Sequence, residues 1–268
     1  KTAQGNGGTG EDFYYTPPSG FKALNTDNLS DPSIALPTDH FNTLLYDDGA
    51  GAKTGVGFQP DLVWVKSRGS TYDHKLTDSV RGVTKAFSSN TVTAEVTDST
   101  GLTAFGADGF TVGADTDYSD TTGSGMASWN WKGGGAASTN EDGSMDSEVS
   151  ANPTAGFSIV SFLAGDAASG NMTVGHGLSQ APTMIIVKDR DRGYGSNVYQ
   201  ADICTGGAGR LILNSTDAYE SGALPFNGVP TSSVFTFNNG FGSSEDDEVI
   251  AYCFHSVEGY SKVGKFVG

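Results

Sequence analysis

The segment "GFQPDLVWVK", Gly57 to Lys66, returns later in the chain as "GLSQAPTMIIVK", Gly177 to Lys188. Pro60 and Pro182 lie 122 positions apart, and so do Lys66 and Lys188. The echo continues: "GFTVG" from Gly109 answers to "VFTFN" from Val234, with Phe110 and Phe235 offset by 125. "ASWNWKGG" from Ala127 answers to "AYCFHSVEG" from Ala251 at an offset of 124, and "HFNTLLYDDGAG" from His40 resembles "GFSIVSFLAGDAASG" from Gly156. Near-constant offsets predict one unit, duplicated, with small loop insertions.

Each unit reads as a short strand, a glycine-rich turn, a second strand entered through a proline, a variable middle and two closing strands. Pro60 and Pro182 fit the first position of a strand, where a missing N–H breaks no ladder. The imperfect alternation in "DLVWVK" and "TMIIVK" predicts strands buried largely on both faces. The 38 glycines, with abundant Ser, Thr, Asn and Asp, favour many short strands joined by turns over long helices. We therefore expect an all-β fold of two tandem, duplicated, jelly-roll-like β-sandwiches, at residues 39–135 and 156–268. Residues 136–155, rich in Gly, Ser, Asn and Asp, read as a linker, or as surface chain adding an edge strand through "MDSEVS". Residues 1–38 have no repeat partner and read as an extended arm stiffened by Pro17 and Pro18.

A formal charge of −16 disfavours nucleic acid and anionic lipid as partners. No apolar run of membrane-spanning length occurs, and the N-terminal "KTAQGNGGTGED" does not read as a signal peptide. A chain that starts at Lys1 is expected to be part of a longer polypeptide. Cys204 and Cys253 are too few for a disulfide framework; they read as two reduced core thiols, with one bridge as the alternative.

Motifs for catalysis are missing. "GAGAKTG", Gly49 to Gly55, departs from a phosphate-binding loop because Ala52 precedes Lys53 and a strand follows, so it reads as a hairpin turn. His40, His74, His176 and His255 show no metal-ligand spacing, and no nucleophile elbow occurs. Two acidic loops occupy corresponding places, "DTDYSD" with Asp115, Asp117 and Asp120, and "EDDE" with Glu245, Asp246, Asp247 and Glu248. Such carboxylates could hold calcium, the one cofactor considered, but solvated acidic loops are the expected reading. Tyr72, Tyr118, Tyr194 and Tyr219 lie in polar, turn-rich segments where a ring could stack on a sugar. Trp64, Trp129 and Trp131 fall in strands, Trp64 as a core residue.

Taken together, "GFQPDLVWVKSRGSTYDHKLTDSVRGVTKAFSSN", "GLTAFGADGFTVG", "ASWNWKGGG", "VGHGLSQAPTMIIVKDR" and "IAYCFHSVEGYSKVGKF" resemble the tandem modules of virion proteins from tailed phages, marine phages especially. "YYTPPSGFKALNTDNLSDP" resembles the end of a concanavalin-like or SPRY-like domain, and "GYSKVGKFVG" the lead into a further module. The resemblance spans nearly the whole chain and brings no catalytic residues. It implies a non-enzymatic structural protein on the virion surface: a fibre, tail or head-surface appendage, with other virion proteins as partners and a homo-oligomeric, trimeric assembly. The alternative is a lectin-like module that recognises host glycans; a polysaccharide depolymerase is the weakest reading.

Overall fold

The computed structural model describes residues 15, 18–19, 21, 32–165, 170–222, 225–238, 244 and 246–266. Most of the expected N-terminal arm lies outside the described residues. The protein is all-β, as the composition predicts, and its strands form two units.

The first unit holds β1 (Phe41–Tyr46), β2 (Gly51–Thr54), β3 (Leu62–Ser67), β4 (Lys75–Asp78), β5 (Lys85–Ser88), β6 (Val96–Thr97), β7 (Leu102–Gly106), β8 (Gly109–Val112) and β9 (Met126–Trp131). One helical turn, α1 (Thr116–Ser119), interrupts them. The second unit holds β10 (Ser138–Asn140), β11 (Ser147–Asn152), β12 (Phe157–Leu163), β13 (Asn171–Gly175), β14 (Met184–Asp189), β15 (Asn197–Gln200), β16 (Gly209–Ile212), β17 (Glu220–Ser221), β18 (Val234–Asn238) and β19 (Glu248–Phe254).

The connectivities match. A six-stranded sheet runs β1-β9-β3-β4-β5-β6, and an eight-stranded sheet contains β12-β19-β14-β15-β16-β17 in the corresponding order. The smaller sheets are β2-β8-β7 in the first unit and β13-β18 in the second. Where β7 would recur, Phe226 makes a single bridge to Phe237, as Leu102 pairs with Val112 in the first unit. Each unit packs its large sheet on its small one: Val63, Val65 and Met126 meet Phe110 and Val112, while Ile185, Val187 and Val249 meet Phe235 and Phe237. Fully burying one such side chain contributes roughly 1.5–3 kcal/mol.

Strand register corrects one detail of the sequence alignment. Lys66 pairs with Ala127, whereas the matching Lys188 pairs with Ile250, so Ala127 corresponds to Ile250 and not to Ala251. A one-residue slip moves a strand's side chains to the opposite face. The corrected register keeps Met126, Ser128 and Asn130 on the inward face with Val249, Ala251 and Cys253. Cys204 and Cys253 are both free and buried.

Of the two readings of residues 136–155, the structure takes the strand through "MDSEVS" over the linker. These residues contribute β10 and β11, with β11 paired to β12 over its whole length, so the segment belongs to the second unit's large sheet. Val149 supplies the reason, since it sits in that unit's core.

Candidate functional site

Both large sheets carry apolar residues on the face turned away from their own interior, and these two faces pack on each other. Leu62, Leu76 and Phe87 of the first unit join Phe157, Ile159, Ile186, Ile250 and Tyr252 of the second in one buried cluster, with Trp64, Trp131, Met184 and Phe254 at its margin. β3 and β14 are thus buried on both faces, as their broken alternation predicts.

A buried ionic network reinforces one side of this junction. Arg81, with no side-chain exposure, pairs with Asp78 and, at 3.0 Å, with Glu95. Arg190 of the second unit grips both oxygens of Glu95 at 2.9 Å and reaches Glu248 at 3.1 Å. The Tyr252 hydroxyl donates to Asp78 at 2.7 Å and accepts from Arg81 at 3.1 Å, while Phe87 lies under the guanidinium. Burial opposes the charge on Arg81, but Asp78, Tyr252 and Glu95 outweigh it and hold its pKa above the ordinary value. Burial likewise works to raise Glu95, yet Arg190 and Arg81 keep its carboxyl below the usual range. Nearby, Lys188 is only 1% exposed and donates to the carbonyls of Val92, at 3.0 Å, and Tyr194. Burial lowers its pKa to about 8, against the opposing pull of Asp189.

Another part of the junction's margin is open. Trp129, the register counterpart of Tyr252, is 37% exposed and stands 6.4 Å from Trp64. Trp64 lines an open groove of about 630 Å³ with His74, Ser89 and Asn90 from the first unit and Leu213 and Asn214 from the second. The polar wall is held in place: Asn90 accepts from the His74 backbone N–H and donates to Asp73, both at 2.9 Å. An aromatic face beside amide, imidazole and hydroxyl groups is suited to a polar ring ligand. Trp64, expected as a core residue, therefore serves the junction and borders this groove.

The four tyrosines proposed as stacking platforms do not form one site. Tyr118 is 0% exposed, packs in the first unit's core and shares a 2.6 Å hydrogen bond with Thr77, so it offers no ring to a ligand. Tyr219 packs against the second unit's core and donates to the Ala208 carbonyl at 2.9 Å. Tyr194 is 37% exposed, with its carbonyl occupied by Lys188, and Tyr72 is half-buried. Sequence reasoning missed this site: the first unit's own fold gathers Trp64, His74 and Asn90, and the packing of the two units adds Leu213 and Asn214.

The acidic residues are tied to the protein's own donors. Asp115 caps α1 by accepting from the Asp117 N–H at 2.8 Å. Asp117 accepts from the Asp73 N–H at 2.9 Å and pairs with Lys75 at 3.1 Å. Hydrogen bonds from Ser67 and then Thr122 hold the Asp120 carboxyl down to about 2. Asp247 pairs with Arg192, Glu248 with Arg190, and Asp246 turns the chain at φ 65°. Glu245 lies outside the described residues. Among the described residues, no three His, Cys, Asp or Glu side chains are grouped to hold a metal ion. Nor is any described helix long and apolar enough to cross a membrane.

Residues 36–268 match a family described as a domain of unknown function, DUF7483, and the chain belongs to it. No curated protein and no solved structure matches the chain.

Proposed function

We propose that the chain is a non-enzymatic structural component of a tailed-phage virion, displayed on the particle surface as part of a fibre, tail or head appendage. The junction carries this reading: two units of matching connectivity are joined through a buried apolar face and an ionic network that spans them. In this arrangement the acidic and basic side chains that could do chemistry are largely engaged in holding architecture. The resemblance to phage virion modules supports the same conclusion.

Gold-labelled antibody against this chain, applied to intact phage particles, tests the reading. Label at a fixed place on the capsid or tail is expected, and label confined to particle-free material would overturn it. Assembly as a homo-oligomer, a trimer in this reading, is checked by light scattering at micromolar concentration, where a strictly monomeric mass counts against it.

The open groove favours a second reading, recognition of a host-surface glycan. Its observation is the placement of Trp64 beside His74 and Asn90. Saturation-transfer NMR with host polysaccharide fragments should show contacts that are lost in Trp64→Ala; equal signals from both proteins would eliminate it.

A further inference from the structure

The two units differ at one sheet edge. In the second, β11 lies along β12, from Ser147 opposite Phe162 to Asn152 opposite Phe157. Just ahead of it, Met145 bridges to Val174 of the small sheet, so one segment closes both layers. Side chains hold it there: Ser144 and Thr173 each donate a backbone N–H to the other's hydroxyl, at 2.8 and 2.9 Å, and the Ser147 hydroxyl donates to the Gly175 carbonyl at 2.9 Å. In the first unit β1 takes the place of β12, yet it pairs with β9 alone. Burial records the difference. Val160, opposite Val149, and Phe162 are buried, whereas the matched Leu44 and Tyr46 are half-buried and the neighbouring Leu45 is 64% exposed.

The free edge of β1 is set for pairing. The Lys132 N–H donates to the His40 carbonyl at 2.8 Å, so Asn42, Leu44 and Tyr46 bond to β9 while Phe41, Thr43 and Leu45 direct their N–H and C=O groups outward. Asn42 Oδ1 accepts from the Thr43 N–H at 2.9 Å; the outward backbone groups of Phe41 and Leu45 have no partner among the described residues. The strand, "FNTLLY", carries no charge, proline or bulge, the devices that keep an exposed edge from pairing. Nor does the chain's own approach to β1 supply a strand where the second unit has β11. Ile34 is buried with Ala155 and Val257, and Pro37–Asp39 forms a turn of 3₁₀ helix.

We propose that β1 is the docking edge for an extended segment of a partner polypeptide, which completes the first unit's large sheet as β11 completes the second's. The molecule holds the template for that segment. It runs antiparallel to β1, sets an aliphatic residue over Leu44 as Val149 lies over Val160, and carries small residues two places to either side, where β11 has Ser147 and Ala151. Main-chain hydrogen bonds supply its affinity, and the alternate side chains its specificity. Beyond its ends it is basic, because β1 is flanked by the exposed Asp39 and Asp47. The same two carboxylates oppose a second copy of this chain: antiparallel pairing of β1 with itself about Thr43 sets Asp39 against the copy's Asp47, like charge on like. The docking edge stands whether or not the chain belongs to a virion.

The probe is a peptide with the sequence of Met145–Asn152 and a lysine added at each end, titrated into the ¹⁵N-labelled full chain. The amide signals of Phe41, Thr43 and Leu45 should shift saturably, and exchange of the Phe41 and Leu45 N–H groups with solvent should slow by about tenfold. The same peptide with Val149→Asp should bind about tenfold more weakly or worse, since a carboxylate then faces Leu44. In the chain, Leu45→Pro removes an outward N–H that the ladder to β9 does not use, and should abolish binding. The two peptides on the wild-type chain decide the matter even if that variant is unstable. No saturable shift at β1, equal affinity for the two peptides, or a response at β12 in place of β1 would each overturn the proposal. So would shifts of the same amides with protein concentration in the absence of peptide, which would give the edge to a second copy.

Discussion

Toward its interior the first unit turns Ser128 and Asn130; at the matched positions the second turns Ala251 and Cys253. Asn130 donates to the Asn42 carbonyl and to Ser128 Oγ, both at 3.0 Å, while its own Oδ1 lacks a partner among the described residues. Cys253 sits in an apolar core that pushes its thiol pKa upward. The second unit also gains β10 and β11 at its sheet edge, a place that β1 leaves open in the first. The same strand order therefore tolerates Ser128 and Asn130 in one interior and Ala251 and Cys253 at the matched places in the other. The difference teaches that connectivity is set by the alternation and turns, and the filling by local side-chain complementarity.

The largest effect expected is on what the units share. Arg81→Ala would leave the buried Asp78 without its cation, Glu95 keeping Arg190, and should cost about 3–5 kcal/mol, read from urea unfolding. A loss below about 1 kcal/mol would mean the network is wet and the units are coupled by apolar contact alone.

Truncating matched core residues asks whether the units unfold together. Phe110→Ala and Phe235→Ala should each cost about 3–5 kcal/mol. Both should lower one common calorimetric transition, because the junction buries the outer face of both large sheets. Two separate transitions, each answering to one variant only, would show that the units are thermodynamically independent.

Exchanging the interior residues sharpens the contrast directly. Cys253→Asn places a larger amide in a mostly apolar core whose polar neighbour is Ser158, and should destabilise by about 1–3 kcal/mol. Asn130→Cys removes an unsatisfied oxygen together with two donated bonds and should change stability by less than about 1 kcal/mol. Similar losses in both directions would erase the distinction between the two interiors.

A fourth comparison uses Lys66 and Lys188, which occupy matched positions. Lys66 is half-buried and donates to the Ser70 carbonyl, whereas Lys188 is buried. Because the folded pKa of Lys188 is lowered to about 8 from 10.5, the unfolded chain binds more protons between those values. Stability contributed at this site therefore rises with pH across that window, by up to about 1.4 kcal/mol per pH unit. The stability difference between wild type and Lys188→Met, measured from pH 8 to 10, should follow this slope; a flat difference would contradict it.

The smallest effect belongs to the rim. Arg210 and Glu220 pair at 2.8 Å with partly exposed side chains, and Glu220→Ala should cost less than about 1 kcal/mol.

Much of this fold was legible because a recurring sequence pattern reports twice. The offsets located β3 and β14, and the prolines marked where they start. Textual likeness misled at the closing strands, since aligning Ala127 with Ala251 matches letters while register matches faces. Residues 136–155 allowed two readings: "MDSEVS" announced β11, whereas β10, Ser138–Asn140, has no apolar residue to mark it. The junction was harder still. Leu62 and Ile186 announce burial, yet nothing in the chain says that each buries against the other's sheet. The ionic network has no echo: the register counterpart of Asp78 is Gln200, so the repeat gave no second reading of it. Tyr118 misled because its neighbours Asp115, Asp117 and Asp120 are polar in sequence while its ring points under α1 into the core.

The outer faces of the two large sheets meet through matched positions, Leu62 with Met184, Trp131 with Phe254, Leu76 with Val198. A contact between like surfaces is self-limiting, because it closes when the pair has formed and leaves neither surface for a newcomer. A tandem array of such units would therefore count in twos. Each further pair would have to reach its neighbour through edges or small sheets, and the bead on that string would be the couple rather than the single repeat.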